Sequence, residues 1–489
     1  MSRRPNIVLI LTDDHAAHAI SAYGSVVNTT PRIDEIARRG ALLESCFCTN
    51  SICTPSRATI LTGTYSHING VLTLSTPIDA FQPTFVSQLR DAGYKTAVVG
   101  KWHMGHGQGH NPEGFDYWDV LIEQGEYFDP KFLSKDGLRT VEGYATDLIT
   151  DMSLGWVESL PEEQPWCLLI HHKAPHRSWE PDEAHAGMYK NIPVPTTFND
   201  DYSTRSTAAR HAAMRVADEL NHEDLKIDPP EVLTGEDLAI WKYQRYMEDY
   251  LAVVASVDDN VGRVIDWLES RGQFADTLLM YASDQGFFLG DHGWFDKRFM
   301  YEESLRMPFV LSYPNAIEAP QRFEGIVSNV DIAQTILDAA GVPAPARMQG
   351  RSFWNDLAHG GDALPAADGL YYRYWENDSH PHLVLAHYGY RDERYKIIYF
   401  YNDGLDLPGS GNATYPPEWE LYDLRVDPNE LRNVYFDPSY AGVRDVLQAK
   451  LWLAQSTVGD RPHHSQKVPR LIAEGATLEQ LPEAEPARS

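Results

Sequence analysis

The chain has 489 residues, 43% hydrophobic and 23% charged, with a formal net charge of -29. That length exceeds what one hydrophobic core usually serves, so two domains are expected in an ordinary globular composition. The acidity excludes a nucleic-acid binder, whose surface must neutralise phosphates, but not a small anionic substrate met by a few buried cations and a metal ion.

Met1 to Pro5 run directly into the apolar stretch Asn6–Thr12, which ends in Asp13-Asp14 with no small-residue cleavage site and so reads as a strand rather than a signal peptide. No apolar run approaches the ~20 residues that span a bilayer, so a cytoplasmic chain without membrane partners is expected. Four cysteines, Cys46, Cys48, Cys53 and Cys167, are too few for a disulfide framework and read as reduced thiols, Cys53 excepted. Cys53 opens Cys53-Thr54-Pro55-Ser56-Arg57, a cysteine with proline two and arginine four residues on. Formylglycine-generating enzymes read that pattern and oxidise the thiol carbon to an aldehyde, whose hydrate is a geminal diol. Proline near the first turn predicts a helix there, with its N-terminus favouring negative charge beside residue 53 and Arg57 one turn on.

Further along, Thr84–Ala92 reads as a helix stopped by Gly93, and the apolar run Thr96–Gly100 leads into Lys101-Trp102-His103. Residues 107–165 and 180–240 are rich in Gly, Pro and acidic residues and read as insertions over a sheet edge. Between them Cys167–Ile170 leads into His171-His172-Lys173-Ala174-Pro175-His176. Tyr243–Leu268 carries an apolar stripe at helical spacing, and its Asp258-Asp259 reads as a helix-face polar contact rather than a metal site. Thr277–Ser283 leads into Asp284-Gln285, and Gly290–Lys297 brings a further lysine. Asp331–Ala340 reads as a helix, after which the character changes around Pro345–Gly361. Strands are expected at Glu393–Phe400 and Glu418–Leu424, a terminal helix at Ala441–Ser456, and a loosely ordered tail after Pro469. The division expected is a catalytic domain over 1–360 and an α+β subdomain with tail over 361–489.

Short apolar runs alternating with helices predict an α/β fold: a large mixed, mostly parallel sheet sandwiched by helices. Ligands of open α/β sheets bind outside the carboxyl ends of the strands. Four runs here deliver carboxylates, lysine, histidine or amide to that edge. Asp13, Asp14, Asp284 and Gln285 offer oxygen ligands to one hard divalent cation, Ca²⁺ for preference, with Mn²⁺ or Mg²⁺ also compatible. Arg57, Lys101, His103, His176 and Lys297 supply donors for a tetrahedral anion; His171, His172, Lys173 and His292 read equally as site or scaffold. In the second domain, His380, His382, His387 and Arg391 read equally as surface residues or as groups reaching the site.

These motifs in this order resemble type I, formylglycine-dependent sulfatases of the alkaline phosphatase superfamily. They are Asn6–Asp14, Cys53–Arg57 with Leu61-Thr62-Gly63, Gly100–His103, Pro175-His176, Ser283–Gly286, Gly293–Lys297 and, in the smaller domain, Glu418–Asn433. The resemblance implies metal ligation by Asp13, Asp14, Asp284 and Gln285, with glutamine where many members have asparagine or histidine. It makes residue 53 the nucleophile as formylglycine, sets Arg57 on the diol with Lys101 and His103 beside it, and places Lys297 and His176 on sulfate and leaving group. The stretch Asp284–Arg298 is most similar to carbohydrate sulfatases acting on 6-sulfated N-acetylglucosamine. The partners implied are a small sulfate ester and a formylglycine-generating enzyme as modifier, with a homodimer among the open oligomeric states. In the implied reaction one diol hydroxyl attacks sulfur in line, His176 or Lys297 serves the leaving alcohol, and His103 takes the proton of the second hydroxyl so that sulfate departs as the aldehyde re-forms. The alternative is a phosphonate monoester or phosphodiester hydrolase using the same aldehyde; an anion-binding protein that keeps Cys53 as a thiol is the rival outside enzymes.

Overall fold

A computed structural model describes residues 4–359 and 368–486. The four apolar runs are neighbouring parallel strands at the centre of a ten-stranded sheet: β1 (Asn6–Thr12), β2 (Lys95–Lys101), β3 (Trp166–His171) and β4 (Thr277–Ser283), in the order β4-β1-β3-β2. Their register is tight, with Leu9 beside both Leu169 and Met280, and Val98 beside Leu169. The middle of each run is apolar because both sheet faces are covered. Pleating sends Ile7, Leu9 and Leu11 to the core on one face and Val8 and Ile10 to that on the other. The antiparallel strand Phe309–Ser312 joins beyond β4, which makes the sheet mixed. Gly100 closes β2 with φ 101°, and a Cβ there would sit 2.0 Å from the His171 carbonyl oxygen, so only glycine lets the chain turn Lys101 into the edge.

Helices cover both faces. α1 (Cys53–Thr62) is wholly buried, and α2 (Gly235–Ser270) starts eight residues before the expected Tyr243. The Asp258-Asp259 pair makes polar contacts: the Asp258 carboxylate accepts the backbone N–H of Arg32 and Ile33 at 3.1 and 2.8 Å, capping the helix Pro31–Arg38, and Asp259 lies 3.2 Å from His185. The expected helices near 84–92 and 331–340 are Phe85–Asp91, with Thr84 and Ser87 in a capping box, and Ile332–Ala339.

The smaller sheet is antiparallel, in the order β5 (Leu370–Tyr374), β6 (His387–Arg391), β7 (Tyr395–Phe400), β8 (Glu418–Asp423), backed by α3 (Ala441–Val458). The expected division at 360/361 lies outside the described residues. Two expectations need correction. Residues 107–165 are not merely an insertion: Tyr117–Leu121, Lys131–Ser134 and Gly137–Thr140 extend the sheet and Ala145–Glu158 packs on it. That helix buries Ile149, Thr150, Ser153 and Val157, a stripe too polar to stand out by hydropathy. The 180–240 segment holds only short helices before α2, as its composition suggests. The tail after Pro469 is ordered enough to form the helix Arg470–Ala473, tied by Arg470 to Asp445 at 2.9 Å. All four cysteines are free and buried, and no helix among the described residues is long and apolar enough to cross a membrane.

Candidate active site

The carboxyl ends of β1, β2, β3 and β4 converge with the N-terminus of α1. Cys53 is the first residue of α1, 2% exposed, and burial pushes its thiol up to about 12. An unmodified thiol there stays protonated at neutral pH and is a poor nucleophile. The helix is fastened from beneath: Ser56 Oγ donates to the Asp284 carbonyl and accepts Asn329 Nδ2 at 2.8 Å.

Three buried carboxylates surround this end. Asp14 (φ 68°) and Asp284 touch through the Asp14 N–H and Asp284 Oδ1 at 3.4 Å. Burial pushes Asp14 up to about 8 and Asp284 up to about 6, with neighbouring carboxylates adding to both. Burial would raise Asp13 too, but Lys101, His176 and Arg57 outweigh it and hold Asp13 well below the carboxylate range. The cations are interleaved among the acids. Lys101 Nζ contacts Asp13 Oδ2 and donates to Gln124, and Lys297 Nζ donates to both Asp14 oxygens at 2.5 and 2.7 Å. Arg57 donates to Asp284 Oδ2 at 2.9 Å and to the Lys101 carbonyl at 2.9 Å, and lies 3.5 Å from Asp13. Its guanidinium therefore braces carboxylates, and its Nη2, one helical turn from residue 53, has no hydrogen-bond partner among the described residues.

The histidines sit at the open side. His103 (φ 55°) and Thr54 form a pair in which the threonine hydroxyl donates to the His103 carbonyl at 2.7 Å and lies 3.4 Å from Nδ1. That hydroxyl proton is used, so Nδ1–H faces it and Nε2 carries the lone pair. His176 Nδ1 donates to the Arg177 carbonyl at 2.7 Å, which leaves Nε2, 3.8 Å from Asp14, as the reactive nitrogen. Burial, reinforced by Lys101, holds both imidazoles well below their ordinary value.

The donor set fits a hard cation. Asp13, Asp14 and His176 each bring a ligand atom within 4.8 Å of the others, and Asp13 Oδ1 and Gln285 Oε1 are buried without a hydrogen-bond partner. Gln285 itself is tied through Nε2 to Asp14 at 2.6 Å, which turns its free amide oxygen outward from that bond. Raised, crowded carboxylates are what a divalent ion stabilises. His176, expected at the leaving group, also stands within reach of this oxygen set.

Of the residues that read equally as site or scaffold, His171 Nδ1 donates to the Lys101 carbonyl at 3.1 Å and His172 is buried in the scaffold. Lys173 lines a cavity of about 660 Å³ with Gln124, Tyr127, Phe128 and His176. His292 stands apart from the cluster, against Asp200 at 3.1 Å. In the smaller domain His382 reaches Asp296, next to Lys297, at 3.4 Å, whereas Arg391 pairs with Glu302, His387 is stacked among aromatic rings and His380 is exposed. Sequence reasoning missed Gln124 and Asp296: the first hides in a segment read as insertion, and the second was signalled only by adjacency to Lys297.

A family model described as Sulfatase matches residues 5–342, and one for the C-terminal region of N-sulphoglucosamine sulphohydrolase matches residues 290–457. An N-acetylglucosamine-6-O-sulfatase of Bacteroides thetaiotaomicron is 41% identical, covering 94% of this chain and 88% of that protein. A solved structure in complex with its substrate D-glucosamine-2-N,6-O-disulfate superposes with a TM-score of 0.88 at 38% identity, over 95% of this chain and 100% of the other. A phosphonate monoester hydrolase of Agrobacterium radiobacter superposes at 0.72 with 22% identity, over 93% and 96%, and shows a shared fold. The chain belongs to the sulfatase family and is a hydrolase of sulfate esters.

Proposed function

We propose that this sulfatase removes the 6-O-sulfate of N-acetylglucosamine or glucosamine units, with residue 53 as formylglycine and one divalent metal, Ca²⁺ for preference, held by Asp13, Asp14, Asp284 and Gln285. The observation that carries the catalytic part is the meeting of the α1 N-terminus with three carboxylates, two lysines and two histidines at one sheet edge. The substrate rests on the two relatives near 40% identity, whose names and ligand carry 6-sulfated glucosamine chemistry. A cavity of about 660 Å³ beside His176 has the size of a small-ligand pocket.

The metal, when bound, would supply positive charge that favours the ionised form of a hydroxyl on residue 53 and offsets the charge of the sulfate group. Lys101 and Lys297 add fixed ammonium charges in a buried setting, where they act more strongly than in water. His103, neutral with its lone pair on Nε2, is set to accept a proton from residue 53. His176 presents Nε2 to the leaving side; with Nδ1–H held by the Arg177 carbonyl it donates there only as the imidazolium, a form that burial and Lys101 disfavour and that the negative charge of a bound sulfate would favour. Arg57 keeps Asp13 and Asp284 apart from one another's charge.

The test has two arms. The intact mass of the peptide carrying residue 53, from chain made beside a formylglycine-generating enzyme, is expected to show the aldehyde. The enzyme is expected to turn over N-acetylglucosamine-6-sulfate, and Cys53→Ala to lose about 10⁴-fold or more with its fold retained. A thiol peptide with no turnover would leave the anion-binding reading, and a large preference for an aryl phosphonate over the matched aryl sulfate would favour the phosphonate hydrolase.

A further inference from the structure

The smaller sheet meets the active-site edge through several polar contacts, and one of them joins two of its loops. Tyr372, on β5, is fully buried, and its hydroxyl donates to the Arg298 carbonyl at 2.5 Å while accepting the Ser51 N–H at 3.2 Å. Ser51 lies two residues before residue 53, and Arg298 directly follows Lys297. One hydroxyl from the second sheet thus joins the loop that presents the nucleophile to the loop that presents an ammonium group.

Both loops need holding. Asp296 and Arg298, on either side of Lys297, have φ of 76° and 87°, a left-handed conformation that costs non-glycine residues of the order of 1 kcal/mol or more. The same sheet supplies the remaining restraints. Arg298 Nη1 donates to the Tyr374 hydroxyl at 3.2 Å and to Glu376 at 3.3 Å, and its Nε donates to Asp296 at 3.1 Å. On the nucleophile side, Ser51 Oγ donates to the Ser304 carbonyl at 2.8 Å, so the Tyr372 bond is the link across to Arg298.

We propose that Tyr372 is a positioning residue of the smaller domain, setting the distance between residue 53 and Lys297. Its hydroxyl is hydrogen-bonded to Ser51 and Arg298, not to any of the proposed metal ligands. This rests on the proposed catalytic roles of residue 53 and Lys297. Loss of the hydroxyl leaves the ring packed but removes the direct tie between Ser51 and Arg298, and misplacement of reacting groups by about 1 Å can cost 10²-fold.

The experiment compares Tyr372→Phe with Tyr388→Phe, on wild type already shown to turn over a 6-sulfated glucosamine and with aldehyde content matched by mass. Tyr388, on the next strand, also makes two bonds through its hydroxyl, to Gln466 at 2.5 Å and from the His463 N–H at 3.0 Å, but away from the site. The expected result is a fall in kcat of about 10- to 100-fold in Tyr372→Phe with KM within about twofold, and no such fall in Tyr388→Phe, at similar thermal midpoints. Equal kcat losses in the two variants, or an unchanged kcat in Tyr372→Phe, would overturn the proposal. If Tyr372→Phe does not fold, Glu376→Gln, which weakens the Arg298 restraint, must give the same kcat-selective loss. An inactive wild type would instead count against the proposed function.

Discussion

Asp284 makes the clearest residue-scale test, because it is tied to both the metal reading and Arg57. Asp284→Ala removes a carboxylate from the oxygen set and leaves Arg57 without its 2.9 Å partner. The purified variant is expected to lose its divalent metal when assayed by elemental analysis; undiminished metal content would remove Asp284 from the ligand set. His176 makes a different prediction. His176→Ala should reduce kcat/KM by about 10²-fold or more on sugar sulfates while sparing activated aryl sulfates, whose leaving groups need no proton. A plot of rate against leaving-group pKa would show this as a steeper slope, and a parallel line would deny His176 the proton. Motif spacing identified these residues, but their hydrogen bonds were not visible to it. Arg57 shows the difference: its place in the pentapeptide is plain, whereas its pairing with Asp13 and Asp284 depends on strands more than two hundred residues apart in the chain.

Asp258 is the informative residue at the scale of an element, since it joins α2 to the start of the helix Pro31–Arg38. Asp258→Ala should cost about 1–2 kcal/mol in denaturant unfolding, the range for a lost N-cap, and Asp258→Asn less, because its amide oxygen still accepts. Burial pushes Asp258 up to about 6 from an ordinary 3.8. The folded state therefore holds its proton more tightly than the unfolded one between those values, and its contribution to stability falls as pH rises through that window. Asp258→Asn should flatten the slope of unfolding free energy there; an unchanged slope would assign the pH dependence elsewhere. Elements with a strong apolar run, such as β1 or β4, were legible from sequence because burial on both faces leaves no polar positions. The strand Tyr117–Leu121 and helix Ala145–Glu158 were not, since the strand buries Asp119 among its apolar residues and the helix buries only one stripe, with Thr and Ser mixed into it.

Across the whole molecule the two sheets are joined by buried charge as well as by Tyr372. Lys396 on β7 is fully buried and pairs with Glu302 of the larger domain at 2.9 Å and with Glu430 at 2.7 Å. Removing one member of such a cluster strands the others, so Lys396→Met should destabilise the folded chain by about 3–5 kcal/mol in denaturant unfolding at pH 7. Burial pushes Glu430 up to about 7, so part of that loss should be recovered at pH 5, where Glu430 is protonated. A neutral effect at both pH values would mean that the cluster contributes no net stability.

The sequence by itself determined the parallel α/β core and the strand ends as the place where carboxylates, lysines and histidines gather. It could do so because buried strands and strand-end polar groups are local patterns. Only the tertiary structure decided which cation faces which carboxylate, that Arg57 braces Asp13 and Asp284, that His176 stands by the oxygen set, and that Tyr372 joins Ser51 to Arg298. Those are pairings between segments distant in the chain, and a hydrogen bond depends on distance and angle in space, which residue order does not record.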